Sequence, residues 1–111
     1  MNDALLSRIE RLLTQPRQIW IFRKGNGLVA VHPSPAVLKG NQEFRIVNTT
    51  GENAEVSFLS DLITPKQQTI RPQSPATFAA GPGPNYVEYD VRLASGHLAE
   101  GGSKPGAIID P

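Results

Sequence analysis

The sequence predicts an all-β domain, a Greek-key β-sandwich of about seven or eight strands, preceded by one amphipathic helix. Three observations predict it. Apolar residues recur at helical spacing only before Pro16, which confines the helix to the N-terminus. Beyond Pro16 the apolar period changes to two, and β-branched and aromatic residues crowd into short runs. Gly, Pro, Asn, Ser or Thr bound these runs, and ten Gly and ten Pro in 111 residues supply ample reversals, so the pattern reads as a sandwich or barrel.

The helix occupies residues 1–15. Leu5, Leu6, Ile9, Leu12 and Leu13 form one stripe, with Ser7, Arg8, Glu10, Arg11 and Thr14 between them. Asn2 or Asp3 can supply the N-cap oxygen, and Pro16 stops propagation because it lacks an N–H and disfavours a helical conformation at Gln15. The chain therefore divides into a helix, 1–16, and a single sandwich domain, 17–111.

Residues 18–23 and 28–32, joined by Lys24-Gly25-Asn26-Gly27, read as a hairpin. Further strand candidates are 37–38, 43–48, 54–59, 68–71, 76–79, 86–93 and 107–110. The clearest is 86–93, where Val87, Tyr89, Val91 and Leu93 fall on a core face and Tyr86, Glu88, Asp90 and Arg92 on a wet one. Gly81-Pro82-Gly83-Pro84 is a reversal, and residues 48–53 are a small polar link between strands.

A chain of this length can bury roughly two-thirds of its surface, so its core stands without staples. The absence of cysteine excludes disulfides, a thiolate nucleophile, Cys-type zinc sites and iron–sulfur clusters, but does not fix a compartment. A net charge of +1 argues against a dedicated nucleic-acid binder. Apolar runs such as Ile19-Trp20-Ile21-Phe22 are far short of the roughly 20 residues of a membrane span. Asp3, Arg8, Glu10 and Arg11 do not fit a signal peptide, which favours a cytoplasmic location, although a mature fragment would look the same. Residues 1–24 carry five cations and two carboxylates, net +3; the remainder carries six and eight, net −2. That asymmetry fits the solvated face of a helix.

From Phe44 onward the order of features resembles the cupredoxin-like fold. Phe44-Arg45-Ile46-Val47-Asn48-Thr49-Thr50 is similar to that family's apolar strand and Asn-containing turn, and Val56-Ser57-Phe58 to the strand that follows. Phe78, the Gly-Pro turn and Tyr86-Val87-Glu88-Tyr89 resemble the approach to its metal site, and Gly106-Ala107-Ile108-Ile109 its closing strand. The resemblance covers about two-thirds of the chain, and Greek-key sandwiches share its motifs. It implies a copper-binding His near Ala54, a Cys near Val91, and a second His and a Met within 93–101. That last stretch holds His97 and no Met. A blue-copper centre needs a Cys thiolate with two His, so the resemblance extends to the scaffold and not to the metal.

The remaining chemistry is sparse. His32 and His97 are the two histidines, and a zinc or copper(II) site would need them to converge with Glu100 or Asp110. Two unrelated surface histidines are the plainer reading. Ser95, His97 and Asp90 are near one another in sequence without a G-x-S-x-G elbow. Glu88 and Asp90 share a strand face, which suits acid–base work only with a pocket between facing elements. The glycine turns at 24–27 and 101–106 lack the phosphate-loop order. Trp20 and Phe22 oppose Ile19 and Ile21, so that strand is apolar on both sides and needs two covers. The helix is the expected second cover; otherwise its stripe of Leu5, Leu6, Ile9, Leu12 and Leu13 would bind a partner or a second copy.

The expectation is a non-catalytic, cofactor-free and copper-free binding or structural module. It would act through loops near residues 81–85 and 95–105, or through the helix, with neither nucleic acid nor a membrane span involved. The alternatives are a metal-binding protein or metal-dependent enzyme using His32 and His97, and a homo-oligomeric assembly protein joined through the helix.

Overall fold

A computed structural model describes residues 17–25, 27–96 and 105–111. The helix expected over 1–16 lies outside them. Within them the chain forms ten strands: β1 (Arg17–Arg23), β2 (Val29–His32), β3 (Ala36–Lys39), β4 (Glu43–Asn48), β5 (Ala54–Phe58), β6 (Ile63–Thr64), β7 (Gln67–Ile70), β8 (Pro75–Ala80), β9 (Asn85–Leu93) and β10 (Gly106–Asp110). They make two five-stranded sheets, ordered β2-β1-β4-β8-β6 and β3-β10-β9-β5-β7.

The count exceeds the expected seven or eight, and β6 is the one strand with no counterpart among the candidate runs read from the sequence. β6 is only two residues long, paired to the end of β8, and two residues carry no readable period. β2 and β3 are separated by His32-Pro33-Ser34-Pro35, and the two sides of that break join different sheets. Proline has no N–H to donate to a ladder, so pairing stops there.

β1 pairs antiparallel with β2 and parallel with β4, from Arg17 opposite Phe44 to Ile21 opposite Asn48. In the other sheet β10 runs parallel to β3 and antiparallel to β9. Each sheet thus carries one parallel pair. Both belong to connections that cross between sheets instead of returning through a hairpin.

The alternation read from the sequence decides which residues meet. Val87, Tyr89, Val91 and Leu93 are buried, whereas Tyr86 and Arg92 are exposed and Glu88 and Asp90 are partly covered. Ile19 and Ile21 point inward, with Phe44 and Ile46 beside them. Phe44 stacks on Phe78 at 5.5 Å, Phe58 meets both edgewise, and Tyr89 lies 5.0 Å from Phe58. Each such ring contributes about 1.5–3 kcal/mol by its burial, so this cluster anchors the two sheets to each other. Burial holds the Tyr89 phenol well above its ordinary pKa, and its hydroxyl has no hydrogen-bond partner among the described residues.

Candidate functional site

The richest polar constellation lies at one end of the sandwich, where β4 turns into β5, the β1–β2 hairpin closes and β9 finishes. β4 ends in Asn48, a fully buried polar side chain. Its amide donates to the carbonyls of Ile70, at 2.9 Å, and Glu52, while its side-chain oxygen accepts from the backbone N–H and hydroxyl of Thr50, at 3.0 and 2.7 Å. The Asn48 carbonyl accepts from the Gln73 N–H at 2.8 Å. Asparagine suits this place because it bonds its own turn two residues on and still has donors for a second strand. Thr49 completes the knot by donating both its N–H and its hydroxyl to the Ile21 carbonyl.

This turn carries Glu52 to a point between two other elements. Its carboxylate accepts from the Arg23 guanidinium, which also donates to the Gly27 carbonyl at 3.1 Å. It accepts as well from the Ser95 N–H at 2.8 Å and the Ser95 hydroxyl at 3.2 Å. The bonds from Ser95, above all that of its hydroxyl, hold the Glu52 carboxyl below its ordinary pKa, with Arg23 adding a smaller pull. A single carboxylate thereby links the hairpin, the β4–β5 turn and the end of β9.

The stems that leave this end are tied down. Ala94 donates to the Asn53 carbonyl at 3.0 Å, Gly96 to the Leu93 carbonyl at 2.8 Å, and Tyr89 to the Pro105 carbonyl at 3.0 Å. Beside them, on the outer face of the second sheet, a groove of ≈ 280 Å³ is lined by Asn53, Glu55, Thr69, Arg92, Leu93 and Ala94. Glu55 stands opposite both Arg92 and Thr69 in register.

The residues singled out in the sequence fare unequally. His32 is exposed, at the end of β2 and opposite Trp20. Asp110 pairs with Lys39, at the other end of β3 from the His32–Pro35 connection. His97, Glu100 and the stripe of Leu5, Leu6, Ile9, Leu12 and Leu13 lie outside the described residues. Among those described, no three His, Cys, Asp or Glu side chains are grouped so as to hold a metal ion. Ala54 and Val91, the positions that the resemblance equates with copper ligands, are core residues at 0 % and 1 % exposure. Ser95 turns its hydroxyl to Glu52, and Asp90 stands on the outer face opposite Ser57. The glycine turn at 24–27 is a hairpin closure, with the Lys24 N–H on the Leu28 carbonyl and the Gly27 N–H on the Lys24 carbonyl.

The loops grouped together in the sequence are also far apart. Residues 81–84 precede β9 and Ser95 follows it, so they sit at opposite ends of a nine-residue strand. What sequence reading missed is the Asn48–Glu52–Ser95 network. Its one sequence signal is Asn-Thr-Thr directly after a strand, a pattern that invites side-chain bonds to its own turn.

No family model and no curated protein matches the chain.

Proposed function

We propose that the chain is a copper-free, non-catalytic module on a cupredoxin-like scaffold, and that it binds its partner at the Glu52 end of the sandwich. The observation that carries this reading is the identity of the two positions where the resemblance would put metal ligands. Ala54 and Val91 are apolar and wholly inside the core, so the space of a metal centre is filled by packing. The carboxylate nearest this end supports the same reading, since Glu52 is already bonded to Arg23 and Ser95 and serves the fold.

What this end offers a ligand is a groove on firmly held walls. Glu55, Thr69 and Arg92 present a carboxylate, a hydroxyl and a guanidinium on adjacent strands. Rigid elements that place polar groups of both signs around a shallow depression suit recognition of a polar peptide or a glycan.

Titration of the whole protein with peptide and glycan panels, followed by amide NMR, tests the reading. A ligand whose shift changes cluster at Asn53, Glu55, Thr69 and Arg92, and whose binding weakens in Arg92→Ala, is the expected result. Stoichiometric copper(II) binding to the folded chain, or shift changes confined to the Gly83 end, would overturn it.

A further inference from the structure

The two outer faces of the sandwich differ in what they leave uncovered. On the first sheet Trp20 is 42 % exposed, but Phe22 and Val47 on the same face are already partly buried. On the second sheet Val37, Ile108 and Tyr86 are all exposed. The register sets them in one row, Val37 opposite Ile108 and Ile108 opposite Tyr86. Three strands at about 4.8 Å spacing make the row roughly 10 Å wide, close to the diameter of an α-helix. Tyr86 lies down across the sheet, because its ring rests over Gly106, where a Cβ would collide with it.

At Val37 the row opens into a cleft of ≈ 270 Å³ that is also walled by Arg17, Pro33 and Pro35. Arg17 is the first residue of β1, so the chain that precedes it leaves the sandwich beside the row. We propose that residues 1–15 dock on this row within the same chain, through the stripe that includes Leu5, Ile9 and Leu12.

Three considerations fix the occupant. A helix over residues 3–15 spans about 20 Å, enough to cross all three strands of the row. The segment is tethered at the mouth of the cleft by Pro16 alone, which gives it a millimolar-scale effective concentration that a second copy lacks. Its charge is complementary on the Glu88 side: Arg8 and Arg11 border the stripe, and Glu88 and Asp110 stand two residues along β9 and β10 from Tyr86 and Ile108 on the same face, with Lys39 opposite Asp110. This site differs from the cover over Trp20 and Phe22 that the sequence suggests, and the difference can be measured.

The absence of cysteine allows a clean crosslinking test in the full chain. Ile9→Cys with Ile108→Cys, oxidised by glutathione disulfide at low protein concentration, should close an intramolecular disulfide about tenfold faster than Ile9→Cys with Trp20→Cys. Faster closure of the Trp20 pair would place the segment on the other face and overturn the proposal. Disulfide-linked dimers would assign the row to a second copy and overturn it, as would failure of the Ile108 pair to close. A second readout uses Trp20, the single tryptophan: Ile9→Glu should move the Ile108 methyl resonance and leave Trp20 emission unchanged, and the opposite pattern overturns the proposal.

Discussion

At the Glu52 end the sandwich is closed chiefly by partly buried side-chain bonds, whereas at the Gly83 end it is closed chiefly by backbone, with exposed side-chain bonds from Lys39 to the Pro111 carbonyl and from Asn85 to the Pro82 carbonyl. Around Glu52, Asn48 and Ser95, hydrogen bonds join segments that are 29 and 43 residues apart. At the other end the Gly40 N–H donates to the Asp110 carbonyl at 2.8 Å, and Gly83 lies against the carbonyls of Ile109 and Asp110. One closure depends on what side chains can donate and accept, and the other on a side chain being absent. The first is therefore tunable by pH and substitution, and the second tolerates almost no added volume.

The largest effect is expected where nothing can give way. A Cβ on Gly83 would overlap two carbonyl oxygens that are held in the β10 strand, so Gly83→Ala should cost about 3 kcal/mol or more, or prevent folding. Gly51 is the matching glycine at the Glu52 end, with φ +84° and open space around its missing Cβ. Gly51→Ala meets only the left-handed backbone penalty, about 1 kcal/mol. Urea unfolding of both variants checks the contrast, and equal losses would mean that the Gly83 end is not closed by backbone contact.

Next comes the buried amide. Asn48→Ala removes the side-chain donors to the Ile70 and Glu52 carbonyls and the acceptor of the Thr50 N–H and hydroxyl, for an expected loss of about 2–3 kcal/mol. Hydrogen exchange should then rise in the β4–β5 turn, above all at Thr50, whose N–H is bonded to the Asn48 side-chain oxygen, while the Gly83 end keeps its protection. A uniform rise across both ends would show that the two closures unfold as one unit.

The contrast also explains what was legible in the sequence. Strands such as β4 and β9 could be read because one face is wet: Glu43, Arg45, Glu88 and Arg92 break the apolar run at every second position. β6 could not, since two residues show no alternation. Gly81-Pro82-Gly83-Pro84 announces a reversal, but the need for glycine at 83 arises from β10, which is distant in sequence. Residues 48–53 read as a polar link for the same reason. That Glu52 meets Arg23 and Ser95 depends on three connections arriving at one end of the sandwich, and no local pattern encodes such a meeting.

The smallest effect should fall on Glu52, and its pH dependence separates it from the others. The Ser95 bonds and Arg23 favour the charged carboxylate in the folded chain, so its pKa there lies below the ordinary value of 4.5. A group with a lowered folded pKa binds fewer protons in the native than in the unfolded state. Its stabilisation is complete above about pH 4.5 and drains away as the pH falls through the folded value. Glu52→Gln keeps the shape and can still accept from Ser95, but loses the charge. The variant should be slightly less stable than the parent at pH 7, with the gap closing in acid as the parent carboxylate protonates. Added salt should narrow the gap at pH 7 only in part, because Arg23 screens readily while the short-range Ser95 bonds do not. Parallel urea titrations at pH 7 and at successively lower pH, with and without salt, measure the gap and its dependence on each. A gap that persists unchanged to the lowest pH at which the chain stays folded would assign the role of Glu52 to packing and not to its charge.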